Sequence, residues 1–169
     1  MYIPFDSMPA HARVWVYQAN RPLTDTEVQQ ALQAGEQFAQ QWAAHGQDLR
    51  ASVTVLYQQF LIVAVDEQVA QASGCSIDRS VAYVKWLEEH FNQNDAISFF
   101  DRTQIAFLVD EQIQLTSMKD LKQKVAEGSI SPEMLTFDNT VATKQDLQER
   151  WLIPAQSSWL ARYFKSVSV

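Results

Sequence analysis

Cysteine is almost absent from this chain: Cys75 stands alone among 169 residues. A single thiol closes no internal disulfide and builds no thiolate metal cluster, which excludes a disulfide-stapled scaffold and a zinc-ribbon centre. Glycine is nearly as scarce, at four. No two glycines stand at dinucleotide-fingerprint spacing and no Gly-Lys pair occurs, so a Rossmann turn and a phosphate loop are both excluded. Basic residues are outnumbered, with 13 Lys and Arg against 20 Asp and Glu, a formal net charge of −7. Without a Lys/Arg cluster nothing supplies counterion release, so no nucleic-acid partner is expected, and an anionic membrane surface is disfavoured. The longest apolar run, Phe60 to Val65, is far short of the roughly 20 residues of a membrane helix. Met1 to Asp6 holds no basic stretch followed by an apolar run, so no secretory leader is expected. The resulting expectation is a soluble, acidic, cytoplasmic protein.

The hydrophobic content of 47% and aromatic content of 11% allow burial to offset the entropy of ordering, so the chain is read as globular. One domain over 1–169 is expected, with a core in 1–109 and an extension in 110–169 packed on the same domain. Val14, Trp15, Val16 and Tyr17 form a strand. Thr24 and Glu27 form a capping box, and the helix that follows places Val28, Ala31, Leu32, Gly35, Phe38, Ala39 and Trp42 on one stripe. Gly35 on that stripe costs about 1 kcal/mol against alanine, which points to a close contact with a sheet. His45-Gly46 is expected to end the helix.

Ala51, Val53, Val55 and Tyr57 alternate with polar residues, as on a half-buried strand. Phe60 to Val65 is apolar throughout, as on a central strand, and Gln58-Gln59 joins the two as a hairpin. A second helix is expected from about Ile77 to Phe91, then a strand Thr103 to Val109 turned at Asp110-Glu111 into another. Ser117, Thr143 and Ser157 or Ser158 each cap a later helix. The order strand, helix, strand, strand, helix, strand is that of the split βαβ. The fold class expected is α+β: an antiparallel sheet with a ferredoxin-like core, an extra hairpin strand and C-terminal helices.

Ser73-Gly74-Cys75-Ser76, between the apolar strand and the second helix, is the best candidate site. Small residues let the backbone approach a ligand, and helix-start N–H groups suit an anion. With Ser76 as N-cap, Cys75 lies just outside the helix, where the dipole favours a thiolate. Asp78 competes for the same field, and free cysteine is commonly buried, so an inert, buried Cys75 in a well-capped turn is the favoured reading. Arg79 is the counter-charge to a bound anion. Asp101 and Arg102 are the second candidates, set to face this turn across a sheet end or simply to terminate a strand. His11, His45 and His90 are scattered and no calcium-loop pattern occurs, so no metal and no cofactor are expected. Asp66-Glu67 is either a carboxylate pair or a solvated strand end. Trp15, Tyr17, Trp42 and Trp86 either line a pocket or pack in the core, with packing favoured.

The segments Met1–Ser7, Ala12–Asn20, Ser73–Asp78, Phe99–Arg102 and Trp159–Phe164 together resemble an uncharacterised bacterial protein family, over essentially the whole chain. Members of that family sometimes carry the label of an ABC-transporter ATPase. The residues here oppose that label, since there is no Walker A loop and the chain is too short for an ATP-binding cassette. The function expected is a non-catalytic binding or protein-interaction module, self-associating or meeting a partner through an open sheet face or the aromatic C-terminal tail. The alternative is a small enzyme or anion binder using Ser73–Ser76, with Cys75 as nucleophile.

Overall fold

The computed structural model describes residues 1–165; the last four residues of the expected extension lie outside it. After a short 3-10 turn at Phe5–Ser7, the elements run β1 (Arg13–Gln18), α1 (Asp25–Gln41), β2 (Ala43–Ala44), β3 (Gln47–Asp48), β4 (Arg50–Leu56), β5 (Phe60–Asp66) and α2 (Gly74–Phe91). There follow β6 (Gln104–Val109), β7 (Gln112–Ser117), α3 (Met118–Ala126), β8 (Leu135–Phe137), α4 (Lys144–Arg150), β9 (Leu152–Pro154) and 3-10 turns at Ala155–Ser157 and Trp159–Tyr163. Helices with antiparallel sheets make this an α+β fold.

The first sheet has three strands in the order β1-β5-β4. Its centre is β5, where Leu61, Val63 and Val65 point to one side, Phe60, Ile62 and Ala64 to the other, and all six are fully buried. Burying a large aliphatic or aromatic side chain this completely stabilises by about 1.5–3 kcal/mol. The odd-numbered set packs with Ala31 and Ala39 of α1 and Tyr83, Val84 and Leu87 of α2. The even-numbered set packs with Ala106 of β6, Phe137 of β8, Leu147 of α4 and Trp151.

Strands β6 to β9 form a second, four-stranded sheet in the order β7-β6-β8-β9. On β6, Ala106 faces the first sheet while Ile105 and Phe107 join Leu121 of α3, Ile130, Ala155 and Leu160 in a third cluster. The chain is therefore layered helices, sheet, sheet, helices. The open sheet face expected as a partner surface on the first sheet is closed by the second.

The split βαβ part of the expectation is present, with β5 inserted between β1 and β4. A ferredoxin-like sheet would also place β6 beside β1. Instead β6 pairs with β7 and β8, and the outer edge of β1 is bridged at one point by Arg13 and Thr143. There the Val14 N–H donates to the Ala142 carbonyl and the Lys144 N–H to the Ala12 carbonyl. A segment from the far end of the chain has taken the first part of an edge that β6 was expected to fill.

Gly35 is where the sequence placed a close approach: a Cβ there would lie 2.7 Å from Val53 Cβ and 2.8 Å from the Tyr83 hydroxyl. Thr24 and Glu27 form the capping box as expected. Leu32, expected inward, is exposed. His45 and Gly46 do not end α1; at φ 51° and 77° they turn the small β2-β3 hairpin.

Candidate functional site

The Ser73–Ser76 turn is built differently from expectation. Helix α2 begins at Gly74 with Ser73 as N-cap, three residues earlier than predicted. Ser76 sits at the third helical position and completes a capping box: Ser73 Oγ accepts from the Ser76 N–H at 3.2 Å, and Ser76 Oγ accepts from the Ser73 N–H at 2.7 Å. The Ser76 carbonyl also accepts the indole N–H of fully buried Trp42 at 2.8 Å, tying the end of α1 to the start of α2. Ser76 is thus buried and committed to structure. Cys75, expected to be buried, is exposed, as are Gly74, Asp78 and Arg79.

A cleft of about 1150 Å³ lies elsewhere, along the outer edge of β1 and against the second sheet. Asp101 and Arg102 line it; Ser73, Gly74, Cys75, Ser76 and Arg79 do not, and α2 contributes only Val81. The two candidate groups from the sequence are not assembled into one pocket. Asp101 Oδ1 accepts from the Thr103 N–H at 2.8 Å and the Thr103 hydroxyl at 2.6 Å. These bonds to Thr103 hold its carboxyl below the usual carboxylate range. Asp138, on the facing wall, is tied in the same manner to Thr140.

The walls are partly aromatic. Tyr17 packs edge-on against Phe100 at 5.6 Å between ring centres, and burial pushes its hydroxyl up. Phe100 and Trp159 are exposed at the rim. Arg13 lies over the Trp15 ring at 4.6 Å and 3.6 Å from Glu67. The far end of the cleft is fastened by Gln18, whose side chain donates to the Gln104 carbonyl at 3.0 Å and accepts from Asn139 at 3.0 Å. Of the aromatic set weighed in the sequence, Trp15 and Tyr17 line the cleft, Trp42 is core, and Trp86 is exposed and stacked on His90.

Between the two fastenings the edge of β1 is open. The register with β5 directs Arg13, Trp15 and Tyr17 inward to the ladder and Val14, Val16 and Gln18 outward. Among the described residues, the Val16 N–H and C=O and the Val14 C=O have no hydrogen-bond partner. Neither the edge nor Asn139 stood out in the sequence, whereas Trp159 belongs to the aromatic C-terminal tail expected to meet a partner. The Asp138-Asn139-Thr140 turn chemistry was a usable local signal; the state of the edge had none.

Asp66 is neither of the alternatives expected. It is buried, accepting from His11 at 3.1 Å and the Gln68 N–H at 3.1 Å, with Arg50 at 3.4 Å. Among the described residues no group of three or more His, Cys, Asp or Glu is arranged to hold a metal, and no helix is long and apolar enough to cross a membrane. No family model, curated protein or solved structure matches this chain.

Proposed function

We propose that this chain is a binding module whose site is the cleft between β1 and the second sheet, working in a reducing, cytoplasmic setting where its single exposed thiol is tolerated. One observation carries the reading: a concave, partly aromatic space of about 1150 Å³ runs along a strand edge with unpaired backbone groups. Asp101 and Asp138 are each tied through Oδ1 to a local turn, and among the described residues neither is paired with a second titratable group, which supports binding over acid–base catalysis. An anion at Ser73–Ser76 has less support, because the Ser76 amide already donates to Ser73.

The test is an NMR screen of ¹⁵N-labelled protein against a small-fragment collection. Shifts of the Trp15 and Trp159 indole resonances and of Val16, with Gly74 and Cys75 unmoved, are expected. Shifts confined to Gly74–Ile77 would transfer the site to the turn, and none in the cleft would end this reading.

A further inference from the structure

We infer that the cleft takes an extended peptide as an added strand on β1, held by backbone pairing at Val14 and Val16 and by a carboxylate on the peptide against Arg102. The inference rests on the reading of the cleft as the binding site and names the class of partner.

The backbone supplies the first argument. Acceptor, donor and acceptor stand in order along the open edge, at the Val14 C=O, the Val16 N–H and the Val16 C=O. An extended chain presents the complementary groups at the same spacing, which is how peptides add to sheet edges. A free edge is otherwise a hazard that folds cover or charge; here it lines a cleft between β1 and the second sheet. The Arg13–Thr143 bridge blocks one end and the Gln18 side chain fastens the other. The stretch from Val14 to Gln18 spans roughly 13 Å, enough for about four extended residues.

Charge selects among peptides. Asp101 and Asp138 also line the cleft, each with its Oδ1 engaged by its own Thr103 or Thr140. Arg102 also lines it, exposed, and has no hydrogen bond or ion pair among the described residues. Its guanidinium is the cleft's uncommitted cation and suits a carboxylate bidentately. Phe100 and Trp159 at the rim give the alternate side chains of such a peptide apolar surface to lie on.

The probe is a positional-scanning library of N-acetylated, C-amidated pentapeptides, with the best member remade with alternate backbone amides N-methylated. The library is expected to select Asp or Glu at one fixed position. The best pentapeptide should slow hydrogen exchange at the Val16 amide, and N-methylation should weaken it by at least about tenfold. Arg102→Glu, at an exposed position that does not burden folding, should remove the acidic preference or turn it to Lys. Binding in the cleft that N-methylation leaves unchanged would overturn strand addition while the binding-site reading stood. No binding by any library member, with small fragments still moving Trp15 and Trp159, would have the same meaning. An acidic preference that survives Arg102→Glu would overturn the role of that residue. Silence of the cleft toward both peptides and fragments would end both readings.

Discussion

The Arg21 guanidinium grips the Glu27 carboxylate through two parallel bonds, of 2.8 and 2.9 Å, with both side chains largely out of water. The same Glu27 closes the capping box of α1 by accepting from the Thr24 N–H at 2.9 Å. Arg21 also donates to the carbonyls of Asp95 and Ala96, so one ion pair joins the start of α1 to the loop after α2.

Lysine cannot reproduce that fork. Arg21→Lys is expected to lower stability by about 1–3 kcal/mol, and Arg21→Ala by about 3–5 kcal/mol, because Glu27 would be left buried and unpaired. Urea unfolding of both variants checks the order; a lysine variant as stable as the parent would refute it.

Gly35→Ala sets helix propensity against packing. Alanine gains up to about 1 kcal/mol in a helix interior. The new methyl, however, would enter within 2.8 Å of Val53 Cγ1 and of the Tyr83 hydroxyl, which is itself fixed by donating to the Ala31 carbonyl at 2.8 Å. A strand side chain has nowhere to retreat in a close-packed core. A net loss of about 1–3 kcal/mol is expected, read as a lowered Tm; a raised Tm would show that the α1–sheet spacing yields.

Asp66 ties stability to acid. Burial opposes its charge, but the Gln68 N–H, His11 and Arg50 outweigh that and hold the carboxyl below its ordinary value. Glu27 is lowered too, chiefly by its bond to Arg21. For a depressed carboxylate the stabilisation is complete above the unfolded-state value, about 4, and is lost as pH falls through the folded-state value. Stability is expected to be flat between about pH 5 and 7 and to drop below about pH 4. Asp66→Asn should cost roughly 1–3 kcal/mol at neutral pH and shrink that drop. An unchanged acid limb in the variant would contradict the assignment.

The β6-β7 turn contains no glycine, yet Asp110 and Glu111 both lie at positive φ, 51° and 63°. This is the two-residue hairpin geometry that favours Asn-Gly or Asp-Gly. Glu111→Gly relieves a side chain from that region, offset in part by the freedom glycine adds to the unfolded chain. A stabilisation of up to about 1 kcal/mol is expected in thermal melts, and a loss would mean that Glu111 makes up for its backbone elsewhere.

The elements legible in the sequence are those whose signals are local. The Thr24 cap, the α1 stripe, the all-apolar β5 and the Gly35 contact each follow from residues a few positions apart. The start of α2 is not legible in the sequence because Ser73 and Ser76 are equally good caps; their reciprocal bonding makes Ser73 the cap and draws Ser76 inward. The pairing of β6 was not legible for a different reason. Its residues are apolar on both sides, which suits a strand beside β1 as well as one inside a second sheet. What decides is the capture of the β1 edge by Ala142 and Lys144, more than a hundred residues away in the chain. The cleft exists because that capture stops short of Val16.

The two-sided burial of β5 makes the C-terminal part of the chain indispensable to the N-terminal part. A fragment ending at Val109 would retain β1, β4, β5 and both long helices, but not Phe137, Leu147 or Trp151 over Phe60, Ile62 and Ala64. It would show water a continuous oily surface of the kind that drives aggregation. Deletions and fusions in this protein are therefore constrained to leave both halves in place. Insertions belong at the exposed His45-Gly46 and Asp110-Glu111 tips rather than at Tyr57-Gln58, where Tyr57 packs on Phe137 and Trp151 of the other half.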